Sequence, residues 1–277
     1  MKKSLKILAA GLAIIPCALA LTACGGTSHE LVDTTGSYRE ASSYDAVQEY
    51  VDETQTTTEL DQYRMMMNMT MSGGGVKLTL NTNSYIQFDG TTLNNYTSID
   101  MAMSMKYIGK EEFNTETCIK DNYLYSSTDL GGWTSPVQLD FSELEGYMGA
   151  TLSLDEVFAS LGEIDKEGLN VKVEQTEDAT KFKIELDGSV LEAFMSSAMP
   201  GDDEVAGITN VLDFSQATAN IYYVFENNEF SGAALDINLK MTVSEGTASA
   251  TISCRMTMEF AKFEGEIPFP TNLPSAN

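Results

Sequence analysis

From Met65 onward the chain alternates apolar and polar residues with a period of two, and this constrains its fold more than any other feature. Met65, Met67, Met69 and Met71 share one side of a strand, with Asn68 and Thr70 on the other. Val76, Leu78, Leu80, Ile86 and Phe88 then stand against Lys77, Asn81, Asn83 and Gln87. Next come Ile99, Met101, Met103, Met105 and Tyr107 against Asp100, Ser104 and Lys106. Strands with one apolar and one polar face predict an antiparallel meander with one side on a core. Glu111–Lys120 and Tyr123–Ser127 read as a hairpin turning at Asp121-Asn122, and Leu169–Gln175 with Lys181–Asp187 as a second. The end of the chain repeats the pattern over 219–226, 233–243 and 248–263, with turns at Asn227-Asn228 and Glu245-Gly246.

Between the two strand-rich parts the period changes. Ser142-Glu143-Leu144-Glu145, Ser153-Leu154-Asp155-Glu156 and Ser189-Val190-Leu191-Glu192 each place Glu three residues after Ser, the pattern of a helix start. Val190, Leu191, Phe194, Met195 and Ala198 mark one helical face before Pro200-Gly201, and a further helix is expected over 203–212. Ser43 caps a short helix with Tyr44, Val47, Tyr50 and Val51 as its apolar stripe. The expected fold is therefore α+β: a curved antiparallel sheet, a half-barrel, with several short helices on its concave side.

The N-terminus says where such a domain works. Met1-Lys2-Lys3 opens an apolar run from Ile7 to Leu21 that ends in Leu21-Thr22-Ala23-Cys24. A charged start, a hydrophobic stretch and small residues before a cysteine resemble the lipobox signal of bacterial lipoproteins. The resemblance implies that residues 1–23 are removed and that the Cys24 thiol receives a diacylglycerol. An ordinary secretory signal with an incidental cysteine is the alternative. Residues 24–58 then hold the anchor, a flexible polar tether to about residue 41 and the short helix. Residues 59–270 form one domain, and 271–277 a tail. No other apolar run approaches the roughly 18 residues of a membrane span.

Charge and motif content narrow the function. Across 277 residues, 41 acidic side chains face 16 basic ones, a formal charge of −25. Three of the basic residues, Lys2, Lys3 and Lys6, lie in the signal. Such a balance repels nucleic acid, whose affinity comes largely from Lys and Arg on phosphates. It also repels anionic headgroups, so the lipid rather than the surface must hold the chain to a membrane. His29 is the only histidine and falls in the expected tether, which leaves the domain without a Ser-His-Asp or Cys-His constellation. No HExxH, CxxC or glycine-rich phosphate loop occurs, and no cofactor is implied. No pair of carboxylates is singled out by its spacing, and the Asp202-Asp203-Glu204 run suits the dipole of a helix start. The reading is a non-enzyme. Cys118 and Cys254 fall on opposite strand faces, which disfavours a disulfide.

Methionine carries the rest of the argument. Strand interiors ordinarily prefer β-branched and aromatic residues, whereas methionine is flexible and adapts to irregular apolar partners. Met67, Met69, Met101, Met103, Met105, Met241, Met256 and Met258 are therefore the candidates for contact with a hydrophobic ligand. Trp133, after Tyr123-Leu124-Tyr125 and Gly131-Gly132, is a candidate aromatic lid. Plain core packing explains the same residues without a ligand.

The lipobox, the strand-helix-strand order and the segment Lys120-Asp121-Asn122-Tyr123-Leu124-Tyr125 with Gly132-Trp133 resemble extracytoplasmic lipoproteins of the lipoprotein-sorting-carrier type. The chain is similar in the same way to a family of Gram-positive surface lipoproteins. The resemblance spans roughly residues 60–270 and implies a half-barrel closed by helices around a cavity for acyl chains. Its expected partners are the membrane, through the N-terminal lipid, and an apolar small molecule or lipid. A surface module with a filled core that meets a protein partner is the rival.

Overall fold

The computed structural model describes residues 29–40, 45–54, 62–88, 92–106, 109–127, 132–139, 169–192, 212–245 and 248–275. Their strands are β1 (Arg39–Glu40), β2 (Gln62–Gly73), β3 (Val76–Phe88), β4 (Leu93–Met105), β5 (Gly109–Lys120), β6 (Tyr123–Ser126) and β7 (Val137–Gln138), followed by β8 (Asn170–Gln175), β9 (Ala179–Asp187), β10 (Leu212–Glu226), β11 (Glu229–Glu245) and β12 (Ala248–Lys262). One helix, α1 (Asp45–Thr54), lies between β1 and β2. All twelve strands join one open antiparallel sheet in the order β1-β8-β9-β10-β11-β12-β2-β3-β4-β5-β6-β7. The sheet does not close into a barrel. The decisive pairing is β12 against β2, which fuses the two meanders; Met69 lies opposite Met256 and Met67 opposite Met258.

The hairpins form where turn chemistry dictates. Asp121 and Asn122 have φ of 52° and 64°, and Asn227 and Asn228 have 52° and 63°. Two successive left-handed residues match the twist of the flanking strands, and Asp and Asn tolerate that conformation. Asn122 adds a tie across the sheet, its Oδ1 accepting the Leu93 amide at 2.9 Å.

Helix is scarcer than the sequence led us to expect. Among the described residues it is confined to α1 and to one turn at 188–192. The starts expected at Ser142 and Ser153, and the body of the helix expected over 203–212, lie outside the described residues. At Leu212 the chain is already strand, so β10 begins seven residues before the expected Ala219. The turn at 188–192 is capped by Asp187 and not by Ser189. Asp187 Oδ1 accepts the amides of Ser189 and Val190 at 2.9 and 3.0 Å and the Ser189 hydroxyl at 2.7 Å. A carboxylate two positions before the Ser outcompetes its hydroxyl for the same orphan amides. No helix among the described residues is long and apolar enough to cross a membrane.

The main core lies on the methionine face of β8 to β12 and β2. There α1 packs Val47 into a cluster with Phe182, Ile184, Tyr223, Phe225 and Met256. Tyr50 of α1 meets the Phe182 and Phe225 rings edge-on at 5.4 and 5.3 Å. The helix thus sits on the side its apolar stripe anticipates. A second cluster, Tyr63, Ile86, Leu93 and Ile119, occupies the other end of the same face. Cys118 and Cys254 are buried and free; three strands separate them and they stand on opposite faces.

Candidate functional site

Because side chains alternate along every strand, the register assembles the methionine face directly. Met71 opposes Cys254 on one side and Leu78 on the other. Leu80, Leu78 and Val76 oppose Met101, Met103 and Met105, and Met101 opposes Phe113. In the other direction Met256 and Met258 oppose Ile237 and Leu235, and Met241 stands opposite both Ile252 and Leu212. Every methionine singled out from the sequence thus lies on one face, spread over β11, β12, β2 and β4. Trp133 does not join them. It bridges to Ser127 beyond β6, four strands along the sheet from β2.

Burial divides this face in two. Met65, Met67, Met69 and Met256 are buried, while Met71 and Met258 are half-buried at the edge of the core cluster. Met101, Met103 and Met105 are half-buried and belong to none of the core clusters. Beyond them the apolar surface opens to solvent, with Val76 42% and Phe113 48% exposed.

A polar band that sequence reasoning missed lies between the two clusters. Thr82 and Ser84 are buried on the methionine face, opposite Met67 and Met65. Ser84 Oγ meets Thr97 Oγ1 at 2.7 Å, Asn95 Nδ2 donates to Ser84 Oγ at 3.0 Å, and Thr97 Oγ1 donates to Asn95 Oδ1 at 3.1 Å. The signal was present: Thr82 and Ser84 interrupt the apolar series of β3 between Leu80 and Ile86. Nearby, the buried Tyr63 hydroxyl has no hydrogen-bond partner among the described residues, and burial raises its pKa.

The opposite face holds a second constellation, around the one histidine. Residues 29–40, expected as tether, instead form a strap across the back of the sheet. Val32 packs with Tyr222, Val224, Ala234 and Ala261, and Leu31 and Tyr38 join that cluster. Glu259, 1% exposed, accepts the amides of Leu31 and Val32 through Oε2 at 2.6 and 3.2 Å. His29 Nε2 faces both carboxylate oxygens of Asp236 at 3.2 and 3.3 Å, and its Nδ1 lies 3.8 Å from Glu259 Oε1. Burial works against the imidazole's proton, but the Asp236 hydrogen bond and the charges of Asp236 and Glu259 outweigh it, so the pKa is raised. Further along, Lys181 Nζ donates to Asp33 Oδ2 at 2.6 Å and to the Thr35 carbonyl at 2.9 Å. That lysine contact, first among its causes, lowers the Asp33 pKa to about 2. The Ser37 amide donates to Glu174 at 2.7 Å, and β1 then pairs with β8.

The chain belongs to DUF6612, a family of unknown function, which matches residues 46–270. No curated protein matches it. Among solved structures, a putative AttH from Nitrosomonas europaea is 7% identical, with a TM-score of 0.23. The match covers 77% of this chain and 55% of that one, so the chain spans about half the length of that neighbour. A DUF1329 family protein from Desulfovibrio piger is 9% identical, with a TM-score of 0.17 and coverage of 79% and 88%. An N-terminal dehydratase from the difficidin assembly line is 9% identical, with a TM-score of 0.14 and coverage of 85% and 93%. Scores this low carry no argument about what the chain does.

Proposed function

We propose that this member of DUF6612 is a lipid-anchored extracytoplasmic protein that takes up an apolar or amphipathic molecule on its methionine face. One observation carries the reading. The apolar face does not end where the core is sealed but runs on through Met101, Met103 and Met105 to exposed Val76 and Phe113. Contiguous exposed apolar surface of that kind marks interaction and ligand sites, and methionine suits partners of varying shape. The band of Ser84, Asn95 and Thr97 offers neutral donors and acceptors to a polar head. Anchoring rests on Leu21, Thr22, Ala23 and Cys24; no catalytic role is assigned to any residue.

The direct test is native mass spectrometry, with organic extraction, on purified residues 25–277. A stoichiometric apolar adduct is expected. A bare mass that stays bare when lipids are offered would sink the reading. That outcome would favour a protein-binding module, for which the sealed part of the core and the strongly acidic surface speak. Anchoring is tested separately: Cys24→Ala is expected to abolish labelling by a fatty-acid analogue and to release the protein from membranes.

A further inference from the structure

We propose that His29 is a proton-operated latch on the strap formed by residues 29–40. Charged, the imidazolium ties the start of the strap to Asp236 on β11 and to Glu259 on β12. Neutral, it leaves Glu259 buried beside two backbone amides with no ion pair among the described residues, and the strap loosens at that end.

The geometry makes the imidazolium the natural counter-charge. Glu259 is fully buried, and a buried carboxylate is costly unless it is paired and hydrogen-bonded. Its Oε2 is occupied by Leu31 and Val32, and its Oε1 points toward His29 Nδ1. Nδ1 is itself buried without a hydrogen bond among the described residues, so a proton placed there faces Glu259. The other groups around the ring do not compete for the role. Tyr222 of β10 meets the imidazole edge-on at 5.7 Å and stays neutral, burial first and then Asp236 and Glu185 pushing its pKa up to about 12. Lys183 of β9 and Lys172 of β8 both contact Glu185, itself on β9. Burial raises the Glu185 pKa, but those two lysines outweigh it and leave the group lowered. Lys183 also lies 5.9 Å from the Tyr222 ring.

The signs define a window. A histidine with a raised folded pKa contributes stability that is complete below its unfolded value, near 6.5, and is lost as pH rises through the folded value. Asp33 acts in the opposite sense: its contact with Lys181 is complete above about 3.8 and is lost as pH falls toward about 2. The strap is therefore held at both ends only between those limits, and alkaline conditions open the His29 end first.

The latch matters because of what precedes it. If Cys24 bears the lipid, a point resting on the anchoring proposed above, five Cα-to-Cα steps separate lipid from latch and span at most about 18 Å. Freed as far as Asp33, which Lys181 still holds, the chain reaches about 32 Å. Protonation of one side chain then sets how far the sheet stands from the membrane.

The test uses the full chain in detergent with [13C]Cε1-labelled histidine. His29 is the only histidine, so a single resonance reports it. We expect its midpoint above 6.5. Exchange protection of the Leu31 and Val32 amides, corrected for intrinsic rate, is expected to fall at least tenfold across the same pH range. His29→Gln, neutral at every pH, should show low and pH-independent protection, and Asp236→Asn should move both midpoints down together. A midpoint at or below 6.5, protection that stays flat while His29 titrates, or a wild-type profile in His29→Gln would overturn the proposal. None of these readouts depends on ligand or acylation, so failure here is distinguishable from failure of the anchoring and ligand readings.

Discussion

Glu259 illustrates how a single carboxylate fixes the path of a chain terminus. Its side chain is buried on β12, yet its acceptors serve amides more than two hundred residues away, at Leu31 and Val32. Replacing it with Ala leaves two buried donors unsatisfied, and each such group costs roughly 1–3 kcal/mol. We therefore expect Glu259→Ala to lower stability by about 2–5 kcal/mol, read as a lower urea midpoint. An unchanged midpoint would show that the strap contributes nothing to the fold. Asp187 is a milder case. Asp187→Ala removes the cap from the turn at 188–192, a loss of about 0.5–2 kcal/mol. The Ser189 hydroxyl, then the Val190 amide, lowers the carboxyl's pKa, so this contribution is present above the ordinary Asp value and fades as pH falls below it. The difference between Asp187→Ala and wild type should accordingly shrink in urea melts repeated at decreasing pH. Neither residue was legible in the sequence as a structural group. Glu259 is one of 41 carboxylates, and its role depends on a contact with a segment that is polar, aperiodic and remote.

At the level of elements, what was legible was whatever is local. The hairpins over β5–β6 and β10–β11 follow from period-two alternation and from paired Asp/Asn turns, and that over β8–β9 from alternation alone, features contained in a dozen neighbouring residues. Asn227, at φ 52°, tests that account. Asn227→Gly should be neutral or slightly stabilising. Asn227→Val should cost about 1–2 kcal/mol, because a β-branched residue resists the left-handed region, and equal thermal midpoints for the two variants would contradict it. The pairing of β12 with β2 was not legible. It joins strands almost two hundred residues apart, and the backbone edges of each would accept several neighbours. The helix start read at Ser189 was misplaced because Ser-x-x-Glu is satisfied there while a better cap, Asp187, stands two residues earlier. The early start of β10 has a similar cause. Its first residues leave regular register with β11 between Asp213 and Thr218, which hides the alternation. That irregularity brings the Phe214 carbonyl to Gly188, where a Cβ would lie 1.7 Å from the oxygen. Only glycine fits there.

For the molecule as a whole, the division of the methionine face into a sealed part and an open part decides between a filled core and a binding surface. Truncation reads the sealed part: Met256→Ala should cost about 2–5 kcal/mol, and Met103→Ala clearly less, because Met103 has less contact to lose. Charge reads the open part. Met103→Glu places a carboxylate among Leu78, Met101 and Met105, where water already reaches. If that surface is only the rim of a core, the substitution changes little beyond a small loss of stability. If it receives an apolar molecule, the carboxylate must be desolvated each time the molecule binds, and uptake fails. Ligand at a hundred times its dissociation constant stabilises the folded state by about 2.7 kcal/mol. Wild-type protein should therefore melt several degrees higher after addition of lipid extracted from its own cells. Met103→Glu, melting close to wild type without lipid, should show no such rise. Equal shifts in both proteins would place the ligand elsewhere, and no shift in either would leave the face to a protein partner. The methionine pattern named these residues from sequence, but only the sheet order separates Met256, locked in the main core cluster, from Met103 on the open side. That separation makes the experiment informative, since one substitution probes the fold and the other probes the face.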